Sequence, residues 1–196
     1  MFEFAQTIDF YIILQIYQAD GNPLLDQAAV ILSFLGTIRF GAILLSIIFW
    51  MKKETRPITI VLLSAVLLSA GLTWMIKEIV DRPRPYIELG LTAADMLILT
   101  DPTVSFPSGH TTTAFATASV VSYYFRKLAV PAIILACIAG LSRMYLLVHY
   151  PSDVLTGALI GILSAAFVIY LYSGYQKKVK PAVLKKEKAD AQEFNN

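Results

Sequence analysis

The chain contains only two histidines, and both lie in short polar stretches of an otherwise apolar sequence. His110 ends the stretch PSGH (107–110), and His149 lies within SRMYLLVHYPSD (142–153). Imidazole is the side chain whose ordinary pKa lies closest to physiological pH. The two stretches are therefore the first candidates for proton-transfer or nucleophilic chemistry.

The spacing of His149 and Asp153 is suited to nucleophilic catalysis. Pro151 lies between them, and proline favours the first turn of a helix, so Asp153 is predicted to lie in that turn and to reach back to the imidazole. A carboxylate that fixes the tautomer and supports a developing imidazolium makes His149 the better nucleophile. His110 is then predicted to be the general acid, which requires environments that separate the two pKa values.

The cations of the chain's polar stretches predict an anionic ligand. Lys77, Arg82 and Arg84 lie in the stretch KEIVDRPRPY, and Arg143 belongs to the same stretch as His149. Arginine offers a planar fork that matches phosphate oxygens, and lysine adds a point charge. The sequence therefore favours a phosphate group as the ligand.

Ser108 and Gly109 add backbone and hydroxyl donors to this predicted site. Glycine lets the backbone approach a ligand closely. Ser108 can cap the helix that follows and can also donate to the ligand. The N-terminus of that helix presents free N–H groups and the positive end of the helix dipole, both of which favour an anion.

The composition of the chain is that of a membrane protein. Of its 196 residues, 57% are hydrophobic and 15% are charged, whereas about a quarter are charged in a typical soluble domain. The net charge of +2 is too small to indicate a nucleic-acid partner. The single cysteine, Cys137, lies in an apolar run and cannot form an intrachain disulfide.

Five apolar runs are long enough to cross about 30 Å of hydrocarbon. We therefore predict an all-α, polytopic membrane helix bundle with five to six transmembrane helices. Arg39, near the middle of the first run, is interpreted as paired within the bundle rather than as a headgroup contact. The runs cover residues 24–50, 57–78, 108–125, 128–147 and 152–173.

Three segments are predicted along the chain. Residues 1–20 form an N-terminal helix that lies in the membrane interface, with a short first span as the competing interpretation. Residues 21–175 form the membrane domain. Residues 176–196 form a basic, flexible tail that carries six lysines.

The loop charges predict the orientation of the bundle. Lysine and arginine follow the first, third and fifth runs, so that side is predicted to be cytoplasmic, together with the C-terminus. All three polar stretches then lie on the noncytoplasmic face of the cell membrane. A single cation there would be explained by snorkelling, but so many ionisable groups in one place indicate function.

The three stretches together resemble the signatures of the type 2 phosphatidic acid phosphatase family, whose active-site fold resembles that of vanadium haloperoxidases. K-x6-R-P runs from Lys77 to Pro85, PSGH covers 107–110, and S-R-x5-H-x3-D runs from Ser142 to Asp153. All three are complete and in order. Arg82 supplies a second R-P, so the choice of Arg84 depends on the family spacing. The family's usual six spans also exceed the five found here.

The resemblance implies a phosphatase that needs neither metal nor cofactor and passes through a phosphohistidine. It assigns attack to His149, acid catalysis to His110 and the orientation of His149 to Asp153. The residues that it assigns to the substrate phosphate are Lys77, Arg84, Ser108, Gly109 and Arg143.

The substrate is predicted to be a lipid phosphate, because the long loop 85–107 is apolar and adjoins the phosphate site. A polyprenyl diphosphate of the undecaprenyl type is favoured within the family. Glycerolipid phosphates, such as phosphatidate or phosphatidylglycerophosphate, are the alternative, and a soluble phosphate ester stays open. A catalytically silent lipid-binding or transport protein is the competing class. A protein of that class would lack His149, His110 or Asp153 in its sequence, and all three are present here.

Overall fold

The computed structural model describes residues 2–19, 21–35, 38–92, 95–98 and 104–193, with side chains at 6–19, 21–33, 41–92, 95–98 and 104–178. Its described elements are all helical, which confirms the predicted all-α class. The side chain of Arg39 lies outside the described part, so its predicted pairing stays a prediction. The helices are α1 (Phe2–Gln18), α2 (Pro23–Leu35), α3 (Ile38–Met51), α4 (Arg56–Ile79), α5 (Pro85–Glu88), α6 (Gly109–Tyr124), α7 (Ala129–Tyr145) and α8 (Pro151–Glu193), with a 3-10 turn at Arg126–Leu128.

Three of the described helices are long and apolar enough to cross a membrane: Arg56–Ile79, Arg126–Tyr145 and Pro151–Lys178. Two shorter apolar helices are Pro23–Ser33 and Gly41–Met51. The run predicted as one span at residues 24–50 contains α2 and α3.

Helix α6 lies at the centre of the bundle and contacts α3, α4, α7 and α8. It packs most closely on α8, where two glycines face its backbone. A Cβ atom at Gly157 would lie 2.6 Å from the carbonyl oxygen of Ser108, and one at Gly161 would lie 2.3 Å from that of Thr112. The G-x-x-x-G pattern of α8 therefore serves a contact within the bundle, because only glycine permits this approach.

Helix α1 packs against α7 and α8. Its Ile13 is fully buried in a cluster with Tyr86, Leu146 and Val148. This cluster encloses the turn between α7 and α8, where His149 lies. The location of α1 in the membrane interface stays a prediction.

Helix α8 extends beyond the membrane domain predicted from the sequence, with a helical backbone as far as Glu193. The flexibility expected for residues 176–196 stays a prediction. Residues 182–193, AVLKKEKADAQE, are rich in strong helix formers, which accounts for the continued helix. The cytoplasmic location of this tail stays a prediction.

Candidate active site

Asp153 is the centre of the polar cluster, and it is fully buried at the start of α8. Helix α8 begins at Pro151 and has Asp153 in its first turn, as the spacing predicted. The carboxylate accepts the Tyr150 N–H over 2.8 Å, so it satisfies one of the donors left free at a helix N-terminus. It also accepts the hydroxyl of Ser105 and, over 2.9 Å, the guanidinium of Arg82.

His149 lies directly beside this carboxylate. Its Nδ1 is 3.5 Å from Oδ2 of Asp153, and the residue is 2% exposed. The contact is longer than a well-formed hydrogen bond, as catalytic contacts often are before a substrate is bound. Because Nδ1 faces the carboxylate, Nε2 is the nitrogen left to meet a substrate.

Burial lowers the pKa of His149 to about 4. The positive charges of Arg84 and Arg143 lower this pKa further, whereas Asp153 opposes the shift. Desolvation and nearby cations both disfavour an imidazolium. His149 is therefore neutral at physiological pH, which is the state that a nucleophile requires.

Arg84 and Arg143 are the two cations of the His149 environment, and both are buried. Nη1 of Arg84 donates to the carbonyl oxygen of Val148, the residue before His149, over 3.0 Å. Nη1 of Arg143 donates to the hydroxyl of Ser33 on α2. The Nε of Arg143 is buried without a hydrogen-bond partner among the described residues. A buried unpaired donor is costly, so this N–H is available for an anion.

The first turn of α6 meets the same cluster. Ser108 is the N-cap of α6, as predicted, and its hydroxyl oxygen accepts from the N–H of Thr111 over 3.4 Å. The N–H of Ser108 donates to the carbonyl oxygen of Asp153 over 3.1 Å. Gly109 and His110 follow in the first turn, and both are partly exposed. The PSGH stretch therefore lies against the start of α8.

Lys77 reaches the cluster from the last turn of α4. Its Nζ donates to the carbonyl oxygen of Val104 over 2.6 Å. The next residue, Ser105, hydrogen-bonds to Asp153. Lys77 thus lies one residue from a direct contact of the central carboxylate.

The eight predicted site residues come from the three polar stretches, which hydrogen bonds join to one another in the structure. Arg84, Arg143, His149 and Asp153 interact directly, and Ser108 joins them through its backbone. Lys77, Gly109 and His110 lie beside residues of this group. The catalytic and phosphate-binding roles of all eight stay predictions.

Sequence reasoning missed several residues that surround the cluster. Asp9 of α1 is buried and contacts Arg82 and Ser152, and an acid within an apolar helical segment was the signal for it. Ser33 and Ser105 carried no such signal, because lone serines are common in membrane helices and loops.

The described residues contain no group of three or more His, Cys, Asp or Glu side chains that could hold a metal ion. The charged groups that act on His149 are instead the guanidinium groups of Arg84 and Arg143 and the carboxylate of Asp153. This donor set suits an anionic ligand.

An apolar cavity of about 470 Å³ lies between α2, α3, α6 and α7. Its wall includes Ala114, four residues after His110, and Ala139, four residues before Arg143. Residues four apart share a helix face, so the cavity begins one turn below both polar side chains. It continues along α6 to Phe125, about 16 Å further at 1.5 Å per residue.

A family model described as the PAP2 superfamily matches residues 58–177, which is more than half of the chain. The chain belongs to the PAP2 superfamily. This PAP2 chain is a membrane enzyme of the lipid phosphatase class, and the family resemblance inferred from the three motifs is confirmed.

Relatives of this PAP2 chain include two curated proteins of Bacillus subtilis. It is 30% identical over 154 residues to undecaprenyl-diphosphatase BcrC, covering 78% of this chain and 77% of BcrC. It is 29% identical over 117 residues to phosphatidylglycerophosphatase B, covering 54% of this chain and 52% of that protein. Among solved structures, Aquifex aeolicus LpxE superposes with a TM-score of 0.69 at 29% identity, covering 83% of this chain and 95% of LpxE.

Proposed function

We propose that the protein hydrolyses the terminal phosphate of a polyprenyl diphosphate of the undecaprenyl type, through a phosphohistidine at His149 and without a metal ion. The observation that carries the proposal is a buried, neutral imidazole that faces Asp153 and lies among the guanidinium groups of Arg84 and Arg143. A nucleophile, its orienting carboxylate and anion-binding cations are the parts that phosphoryl transfer needs.

In the first step, Nε2 of His149 attacks the terminal phosphorus, and the bond from that phosphorus to the bridging oxygen breaks. His110 gives its proton to the leaving oxygen, so the lipid departs as a monophosphate. The carboxylate of Asp153 accepts a hydrogen bond from the N–H that stays at Nδ1 of His149. In the second step, His110 takes a proton from water, which attacks the phosphohistidine and releases inorganic phosphate.

The phosphoryl oxygens are bound by cationic side chains and by the positive end of a helix dipole. Arg84 and Arg143 supply fixed guanidinium donors, and Lys77 supplies a further charge. The backbone N–H groups and the helix dipole at Ser108 and Gly109 favour the same anion. Such prearranged donors stabilise the charge that develops on the phosphoryl group during transfer.

The apolar cavity supports a substrate with a hydrocarbon tail. It begins one helical turn from His110 and Arg143, so a chain attached to a bound phosphate has a path between α6 and α7. Its wall is formed mainly by aliphatic and aromatic side chains, including Leu45, Phe49 and Phe125. A hydrocarbon tail would stay in an apolar environment there, as it does in the bilayer.

The choice of a polyprenyl diphosphate is supported by the similarity to BcrC of Bacillus subtilis, an undecaprenyl-diphosphatase, over about three quarters of both chains. Glycerolipid phosphates are the second candidate, because phosphatidylglycerophosphatase B matches about half of this chain. The noncytoplasmic location of the site is proposed from the loop charges alone.

The decisive experiment measures kcat/KM in detergent and EDTA for polyprenyl diphosphate, phosphatidate, phosphatidylglycerophosphate and diacylglycerol diphosphate. We expect polyprenyl diphosphate to have the highest value and EDTA to have no effect. A higher value for a glycerolipid would select the second candidate. No phosphate release from any of them would favour a silent lipid-binding or transport protein.

The covalent step is tested with substrate labelled in its terminal phosphate and stopped with alkali, in which phosphohistidine is stable. Wild-type protein should retain the label, and His149→Ala should retain none and release no phosphate. Cys137→Ala is the control, because Cys137 is exposed and is not one of the predicted site residues. Activity in His149→Ala would remove the nucleophile assignment.

A further inference from the structure

We infer that helix α1 is part of the active site: Asp9 and Arg82 are positioning residues that hold Asp153 in the orientation in which it faces His149. The inference rests on the proposed function, because it concerns the histidine and carboxylate of that mechanism. Asp9 lies well before residue 58, where the superfamily match begins.

Arg82 is fixed by partners on three sides. Its Nη2 lies 2.8 Å from Oδ2 of Asp9, and its Nη1 lies 2.9 Å from Oδ1 of Asp153. Its guanidinium carbon lies 3.8 Å from the centre of the Tyr150 ring, in a cation–π contact. Arg82 is 9% exposed, so these contacts occupy its planar fork. Arg82 therefore differs from Arg143, whose Nε has no hydrogen-bond partner in the described part of the chain.

Asp9 holds Arg82 and the start of α8 at the same time. Asp9 is 3% exposed. Besides Arg82, it accepts the N–H of Ser152 over 3.0 Å and the Ser152 hydroxyl. A carboxylate buried this deeply needs such partners, because burial without them is costly. Its position at the N-terminus of α8 is also favoured by the helix dipole.

The two oxygens of Asp153 are consequently assigned to different partners. Arg82 holds Oδ1, together with its contacts to Asp9 and Ser152. Oδ2 then meets the Ser105 hydroxyl, the Tyr150 N–H and the imidazole of His149. Without Arg82, the carboxylate would lose its only described cationic partner on the Oδ1 side, and only the contacts at Oδ2 would still hold its orientation.

The test is a double-mutant cycle on kcat and KM with a polyprenyl diphosphate as substrate. Asp9→Asn should lower kcat about tenfold and Arg82→Gln about a hundredfold, since small misplacements of catalytic groups have effects of this size. KM should stay within about twofold, because neither residue touches the substrate. In the double variant, the loss of kcat should be smaller than the product of the two single losses, since Asp9 acts largely through Arg82.

The matched control is Asp26→Asn. Asp26 accepts the Tyr145 hydroxyl over 2.7 Å and so attaches α2 to α7, but it has no described contact with Arg82 or Asp153. Its kcat should be unchanged. The inference is overturned if Asp9→Asn keeps wild-type kcat, or if Asp26→Asn loses as much activity as Asp9→Asn. It is also overturned if the kcat losses of Asp9→Asn and Arg82→Gln multiply in the double variant.

Two further variants keep the test decisive. If Asp9→Asn fails to fold, Ser152→Ala removes a hydroxyl partner of Asp9 and Arg82 without leaving a charge unpaired. It should lower kcat about threefold or more with KM unchanged, and unchanged kcat would overturn the inference. His149→Ala is measured in the same experiment. An active His149→Ala protein would refute the proposed function. An inactive His149→Ala protein together with a fully active Asp9→Asn protein would refute this inference alone.

Discussion

The N–H of Ser108 donates to the carbonyl oxygen of Asp153 over 3.1 Å. This bond joins the N-terminal end of α6 to the N-terminal end of α8, and so connects two of the three polar stretches. It is possible only because α8 approaches α6 closely at Gly157, where a Cβ would lie 2.6 Å from the carbonyl oxygen of Ser108. The packing of two helices therefore sets the geometry of the candidate site.

Gly157→Ala should lower both the melting temperature in detergent and kcat. The new methyl group would force the two helix ends apart, and overpacking of this kind costs about 1–3 kcal/mol. Gly174→Ala is the control on the same helix, because nothing lies within 4 Å of its added Cβ. That variant should keep or slightly raise the melting temperature. A Gly157→Ala protein as stable and active as wild type would contradict the close contact.

The pH profile should reflect the two histidines. Burial lowers the pKa of His149 to about 4, so the nucleophile stays neutral through pH 5–9 and kcat/KM should fall only as the pH drops through about 4. Loss of the His110 proton should lower kcat/KM on the alkaline side. Initial rates across pH 3.5–10 give the profile. A flat profile across pH 5–9 would contradict the role of His110 as general acid.

Arg84→Gln should move the acid limb of that profile to higher pH. The guanidinium of Arg84 disfavours the imidazolium of His149, so its removal raises the pKa of His149 and protonates the nucleophile at a higher pH. Arg126→Gln, at the far end of α6, is the control and should leave the limb in place. An acid limb that moves to lower pH in Arg84→Gln would contradict the electrostatic assignment.

Arg143→Lys should lower kcat/KM about tenfold or more even though the charge is kept. Lysine cannot reproduce the free Nε–H while also reaching Ser33, and a hydrogen bond to a charged group is worth about 1.5–3 kcal/mol. The kcat/KM values of Arg143→Lys and wild type are compared by measuring the release of inorganic phosphate from a lipid diphosphate. Wild-type kcat/KM in Arg143→Lys would show that the planar fork has no role in binding phosphate.

Ala136→Phe should raise KM for a long-chain lipid diphosphate and leave KM for a short-chain phosphate ester unchanged. Ala136 is buried in the wall of the apolar cavity, so a phenyl ring would fill space proposed for the hydrocarbon tail. Cys137→Phe is the control, since the side chain of Cys137, the next residue, is exposed. Equal changes for long and short substrates would argue against a tail in this cavity.

The sequence predicted the helical class and the residues of the cluster because their signals are local. Pro151 and Asp153 mark a helix start, and Ser108 marks another, so the positions of these side chains follow from capping chemistry. The family motif then distinguished Arg84 from Arg82. That choice stays a prediction; in the structure Arg82 is enclosed by Asp9, Asp153 and Tyr150.

The parts that the sequence did not predict depend on tertiary contacts. Ser33 of α2 contacts Arg143 of α7, and hydropathy alone does not show which helices of a bundle pack together. The contact of Asp9 with Ser152 joins the first helix to the last. Single-sequence patterns carry no information about such distant pairs.

The single cysteine of the chain provides a site for a spectroscopic label. Cys137 is exposed on α7 and adjoins Ala136, which lines the apolar cavity. A thiol-reactive nitroxide or fluorophore would therefore attach at a single native position, with no engineered cysteine and no background labelling. Spectroscopy from that position could follow the arrival and departure of a hydrocarbon chain during turnover, independently of phosphate release.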